Sequence, residues 1–154
     1  MDIFSIFNQF VYTRQLCDEL ESDLGWDILV KTWLFADKYL VPSLQNKSMS
    51  TLFEKNRKVG VIPTHCVKLI YNNTLPGSLL RKFIIDLVAY KLDIERCITH
   101  GKGGDWSHEA LLDLVRILGT KEKTYVGNYV LPDANNGKCH YHIHADGENC
   151  DTKL

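Results

Sequence analysis

The chain has 154 residues, with 18 Lys+Arg against 19 Asp+Glu, six His and a formal net charge of −1. At roughly 100–200 residues per domain this is one domain, or one domain with a tail, and a chain of this size folds without needing disulfides or metal. A hydrophobic content of 45% with 24% charged residues excludes a disordered chain, and the near-neutral balance gives no electrostatic footprint for nucleic acid or an acidic membrane surface.

Met1-Asp2-Ile3-Phe4 offers neither the basic region nor the cleavage site of a secretory signal. No apolar stretch approaches the roughly 20 residues of a membrane span; the densest run, 28–40, is interrupted by Lys31, Asp37 and Lys38. The five cysteines, Cys17, Cys66, Cys97, Cys139 and Cys150, are odd in number and scattered, which fits reduced thiols. The expectation is an intracellular protein of the cytoplasm or nucleus, in which the sequon at Asn72-Asn73-Thr74 carries no sugar.

The periodicity is helical almost throughout. Phe4, Phe7 and Val11, with Phe10 beside them, predict a short amphipathic helix ending near Tyr12-Thr13. The acidic cluster Asp18, Glu19, Glu21 and Asp23 reads as a solvated loop. Trp26, Leu29, Val30, Trp33 and Phe35-Ala36 form the apolar stripe of a second helix, with Lys31, Asp37 and Lys38 facing away. Pro42 ends that helix, because the residue before a proline is biased out of the α region, and opens the next one at its first position. Leu44, Ser48 and Leu52 share a face of this third helix, and the short connection predicts an antiparallel hairpin.

Glu54 to Lys58 reads as a charged break. Pro63 opens a helix with Cys66, Leu69 and Ile70 on one side, which Asn72-Asn73-Thr74 stops. Pro76-Gly77-Ser78 is a turn with Ser78 as N-cap, and Leu80, Phe83, Ile84, Leu87 and Val88 make the cleanest amphipathic pattern in the chain. After a glycine loop at Gly101, Gly103 and Gly104, Asp105 or Ser107 caps a last helix with the face Leu111, Leu114, Val115 and Leu118, ended by Gly119. From Lys121 on, Tyr, Asn, Gly, Asp and His predict an extended or irregular tail.

That tail holds the one dense group of chemically capable side chains: Cys139-His140-Tyr141-His142-Ile143-His144, then Asp146-Gly147 and Cys150. Thiolate sulfur and imidazole nitrogen are the ligands that tetrahedral zinc prefers. On a strand His142 and His144 share a face, and a turn at Asp146-Gly147 returns Cys150 towards Cys139, so these four would close around one structural zinc. The spacing matches no standard zinc finger, and a solvated polar tail with no cofactor is the competing reading.

Elsewhere structure explains the candidates better than chemistry does. Ser107-His108-Glu109 cannot form a relay between adjacent helical residues and fits a cap with an acid in the first turn. Gly101-Lys102-Gly103-Gly104 lacks the full phosphate-loop pattern and reads as a connector. Cys66 and Cys97 on apolar stripes read as inert buried thiols. Trp26 and Trp33, two helical turns apart, read as core or interface anchors. Nothing makes a credible enzyme.

Leu29-Val30-Lys31-Thr32-Trp33-Leu34-Phe35-Ala36-Asp37-Lys38-Tyr39-Leu40-Val41-Pro42-Ser43-Leu44-Gln45-Asn46 resembles the "L…ADKY…IP.L.N" helix pair of BTB/POZ domains. The opening Phe4-Ser5-Ile6-Phe7-Asn8-Gln9-Phe10-Val11-Tyr12-Thr13 resembles the preceding segment of that fold. Tyr71-Asn72-Asn73-Thr74-Leu75-Pro76-Gly77-Ser78-Leu79-Leu80-Arg81 is similar to a segment that follows the hairpin in BTB proteins of filamentous fungi, which also often end in a Cys/His tail. In that family a β-rich half, with the sheet and main homodimer surface, precedes the Phe4 segment, so the resemblance implies the C-terminal helical part of the domain, either as a truncated domain or as a divergent, purely helical remnant. It also implies non-enzymatic protein–protein interaction, as an oligomerisation module or an adaptor for cullin-type ubiquitin ligase scaffolds, with the scaffold-facing region around Phe4 to Tyr12 and the hairpin.

The expectation is therefore a mainly α protein: a partial BTB/POZ domain over 1–56, a helical extension over 57–120 and an irregular Cys/His-rich tail over 121–154. A hairpin lacking its sheet would leave a stripe of Trp26, Leu29, Val30, Trp33 and Leu34 uncovered, and exposed apolar patches of more than a few hundred Å² mark interfaces. These residues, with Phe7, are the expected contact set for self-association or for a BTB-type protein partner. The alternative is a small zinc-binding regulatory protein acting through its tail.

Overall fold

The computed structural model describes residues 2–17, 24–91, 106–120 and 138–144, with Lys138 and Cys139 as backbone only. The protein is mainly helical, and no strand occurs among the described residues. It divides into two compact units, Met1–Gly60 joined by Tyr141–Leu154, and Val61–His140. The acidic cluster of residues 18–23, the glycines of residues 101–104 and Cys97 lie outside the described residues.

In the first unit α1 spans Ile3–Thr13. The Asp2 carboxylate caps it by accepting from the Ser5 N–H at 2.8 Å, and this bond holds the carboxyl below its ordinary pKa. The buried face is Ile6 and Phe10, whereas Phe4 and Val11, expected inside, are exposed. The apolar residues of α1 fill one wide arc that holds two adjacent i,i+4 pairs, Phe7/Val11 and Ile6/Phe10, and packing buries the second.

Helix α2, Trp26–Lys38, packs on α1 and on α3, Pro42–Val59. The connection is as short as the proline requires. Val41 is outside the α region at φ −112°, ψ 79°, and Pro42 occupies the first turn of α3. Gln45 Nε2 donates to Asp37 Oδ1 at 2.9 Å beside the turn, and Lys55 lies over the Trp26 ring at the far end, so the hairpin is antiparallel as expected. Glu54 to Lys58 does not break the chain: α3 runs through it to Val59. Leu44, Ser48, Leu52 and Asn56 continue one buried stripe, while Arg57 and Lys58 occupy the last turn, where the helix dipole favours cations. Gly60, at φ 68°, ends the helix with its N–H on the Asn56 carbonyl.

In the second unit a single 3-10 turn, Thr64–Cys66, follows Pro63 and leads into α4, Val67–Asn73. Cys66 is fully buried, as its apolar stripe implied. A turn with Gly77 at φ 86° then starts α5, Leu79–Lys91. This helix is not amphipathic. Leu80, Arg81 and every residue from Phe83 to Ala89 are buried, because α4 and a later helix, α6 (His108–Thr120), both pack against it. Ser78 stands at the N-cap position, its carbonyl accepting from Lys82 N–H, but its hydroxyl is buried with no hydrogen-bond partner among the described residues and does not cap.

Helix α6, His108–Thr120, is capped by the Ser107 hydroxyl, which accepts from Ala110 N–H at 3.2 Å. It buries Ala110 and Leu114; Leu111 and Val115 are exposed, a rotation away from the expected face, and Gly119 lies inside the helix. This face predicts that Leu114→Ala costs about 2–5 kcal/mol in urea unfolding, while Val115→Ala stays within about 0.5 kcal/mol. Equal losses would restore the face drawn from periodicity.

Candidate functional site

The expected contact stripe on α2 is not an open surface. Leu29, Val30 and Trp33 are at most 2% exposed, and Trp26, Leu34 and Phe7 are half-buried. Helices α1 and α3 pack against α2, so the hairpin needs no sheet to cover these residues. The exposed apolar surface of this unit lies elsewhere and shares only Phe7 with that set. Phe4, Phe7, Phe35 and Tyr39 form a continuous aromatic strip across α1 and α2, with successive ring centroids at 6.4, 5.4 and 4.5 Å, all tilted. Its ends are open, with Phe4 63% and Tyr39 58% exposed. Next to Tyr39, Leu40 is 85% exposed and holds the left-handed backbone at φ 55°. A branched apolar residue in that conformation costs about 1–2 kcal/mol where glycine would not.

In the second unit the segment Tyr71 to Arg81 builds one polar centre. The Arg81 side chain is 7% exposed. Its Nε donates to Thr74 Oγ1 at 2.9 Å, Nη1 to Glu109 Oε2 at 2.7 Å, and Nη2 to the carbonyls of Tyr71, at 2.9 Å, and Thr74. Its guanidinium lies 4.4 Å from the centre of the Tyr71 ring, a stacking that adds about 1–2 kcal/mol when desolvated. The Tyr71 hydroxyl donates to Asp113 Oδ2 at 2.9 Å, and the other Asp113 oxygen accepts from Arg116 at 3.0 Å. Burial, then the Asp113 bond, pushes the Tyr71 hydroxyl above its ordinary pKa. The residue types of the segment follow from this geometry. Tyr71 and Thr74 accept from the arginine, and Gly77 supplies the positive φ of the turn that leads into α5. A cleft of about 290 Å³ opens beside this centre, lined by Tyr71, Ser78, Arg81, Asp113 and Arg116 among others.

Of the four proposed zinc ligands, the Cys139 side chain and Cys150 lie outside the described residues. His142 and His144 do not sit on a strand. They follow a 3-10 turn, Lys138–Tyr141, with ring centroids 6.0 Å apart. This stretch of the tail is anchored rather than loose: Tyr141 is 2% exposed, His142 Nε2 is in hydrogen-bond contact with Ser50 Oγ at 3.1 Å, and Asn46 holds Ile143. Asn46 and Ser50 were legible only as polar positions of α3, since pairing across more than 90 residues leaves no local signal.

No protein-family model, curated protein or solved structure matches the chain. Among the described residues no helix is long and apolar enough to cross a membrane.

Removing the guanidinium strands the carbonyls of Tyr71 and Thr74, so Arg81→Ala is expected to lower stability by about 2–5 kcal/mol. Glu109, 60% exposed, can be replaced by water, and Glu109→Gln should cost less than about 1 kcal/mol. Because the folded state keeps the Tyr71 proton more tightly than the unfolded chain, its contribution is complete below the ordinary tyrosine pKa of 10.0 and is lost as pH rises beyond it. Urea unfolding from pH 8 to about 11 should therefore fall more steeply for the unmodified chain than for Tyr71→Phe; parallel curves would contradict the assignment.

Proposed function

We propose that the protein is a non-enzymatic protein-interaction module of BTB type, acting as an adaptor for a cullin-type ubiquitin ligase scaffold in the cytoplasm or nucleus. The observation that carries this reading is the aromatic strip Phe4–Phe7–Phe35–Tyr39 with Leu40 beside it. Exposed aromatic rings that already touch one another offer apolar area at small entropic cost, and such residues dominate binding hot spots. Leu40 adds a second argument: strained backbone carrying a solvent-exposed apolar side chain is unfavourable in isolation and makes sense where a partner covers it. The strip falls on α1 and the tip of the α2–α3 hairpin, the regions that resemble the scaffold-facing part of BTB/POZ domains. The contact set is accordingly moved from Leu29, Val30 and Trp33 to Phe4, Phe35, Tyr39 and Leu40.

The second reading, a structural zinc in the tail, rests on the proximity of two imidazoles. Two rings bonded tetrahedrally to one zinc at about 2.0–2.1 Å have centres roughly 5 Å apart; those of His142 and His144 are 6.0 Å apart, and His142 Nε2 contacts Ser50 Oγ, so a metal would have to draw the rings together. Zinc would hold the tail shape and supply no reaction. Full-length protein should then retain about one zinc after dialysis, lost on Cys139→Ser; a metal-free protein with an unchanged fold would end this reading.

Binding to a purified cullin-type scaffold, measured by calorimetry with the full chain, tests the adaptor reading. The double variant Phe4→Ala with Tyr39→Ala should weaken binding at least about tenfold while leaving helicity intact. Absence of heat with the unmodified chain, or indifference to both substitutions, would contradict it.

A further inference from the structure

Asn46 on α3 bonds both backbone groups of a single residue in the tail. Its Nδ2 donates to the Ile143 carbonyl at 2.7 Å, and its Oδ1 accepts the Ile143 N–H at 2.8 Å. The N–H and C=O of one residue point the same way only where the backbone is extended, as in the reciprocal pairs of an antiparallel sheet. An asparagine amide is the one-residue equivalent of that strand edge, offering a donor and an acceptor side by side. Such a clamp reads backbone and not side chain, as in recognition by strand addition, where flanking contacts provide selectivity. Here the flanks are Tyr141, whose side chain is buried, and His142, in contact with Ser50 one helical turn beyond Asn46.

We propose that the Asn46–Ser50 face of α3 is a docking site for an extended peptide, and that His142–His144, just past the 3-10 turn that ends at Tyr141, occupies it in cis. The tail is an intramolecular competitor. It excludes an extended segment of a protein partner that carries an aromatic residue two positions before the clamped peptide unit. The pairing is local to one unit, since Tyr141 onward belongs with Met1–Gly60, yet its partners are 92 and 97 residues apart in the chain. It uses other residues than the aromatic strip, so it stands or falls independently of the scaffold reading.

The test uses the full chain and a fluorescent peptide of residues 138–144 with serine in place of Cys139. Ile143→Pro deletes the N–H that Asn46 accepts and frees the site. Saturable binding to this variant is expected in anisotropy, with the unmodified chain binding about tenfold more weakly because its tethered tail competes at high effective concentration. Asn46→Asp added to Ile143→Pro removes the amide donor and should abolish binding. Equal affinity for the unmodified and Ile143→Pro chains, or binding indifferent to Asn46→Asp, would overturn the proposal. Should either variant lose helicity, hydrogen exchange on the unmodified chain decides. An Ile143 amide slowed about a hundredfold relative to a free peptide upholds the clamp, and one exchanging at the free rate overturns it.

Discussion

A guanidinium that can never shed its charge is the constraint around which the second unit is arranged. Arg81 lies on α5, a helix buried on almost every side, and a bare cation there would cost several kcal/mol. The chain answers by stopping α4 at Asn73 and turning Thr74 outward into extended backbone. The carbonyls of Tyr71 and Thr74 then point at the guanidinium, and Glu109 comes from α6 to supply the opposite charge. Tyr71 lies against the guanidinium and ties the same centre to Asp113. Three helices are thus registered by one side chain. Lysine, with a compact ammonium and no planar fork, could not reach these acceptors together.

The first unit solves a different problem. Its hairpin has an apolar stripe on α2, Leu29, Val30 and Trp33, that α1 and α3 already cover. What remains exposed is not leftover core but a second set of rings, tilted against one another along α1 and α2 and ending at a strained Leu40. The returning tail uses yet another face, the polar side of α3. Core, aromatic strip and peptide seat therefore draw on separate residues, which lets binding residues vary without unfolding the unit.

Much of the architecture was legible in the sequence, for identifiable reasons. Pro42 places the hairpin turn, since its effect on Val41 is local steric exclusion, and the Ser107 cap follows from an equally local hydrogen bond. Faces were less legible where apolar residues crowd a helix. In α1 and α6 more than one stripe fits the period, and only the packed neighbours choose between Phe4 and Ile6, or between Leu111 and Ala110 beside the shared Leu114. The charges of Glu54 to Lys58 suggest an ending, but they sit on the solvent side of a helix whose buried register continues through Leu52 and Asn56. The segment from Tyr71 to Arg81 was visible as a pattern, but its purpose was not, because it needs Glu109 and Asp113 from a distant helix. Of the aromatic strip, Phe7 stands out in the sequence as an apolar position of α1, whereas Phe35 falls on the apolar stripe of α2 and only the packed structure shows its ring between those of Phe7 and Tyr39.

The most direct test of the proposed adaptor role is a hydrogen-exchange footprint of the full chain with and without a purified cullin-type scaffold. A scaffold seated on the aromatic strip predicts added protection confined to α1 and the hairpin tip around Tyr39 and Leu40, with α4 to α6 unchanged. Protection on α6 or in the tail with none on α1, or no footprint at saturating scaffold, would contradict it.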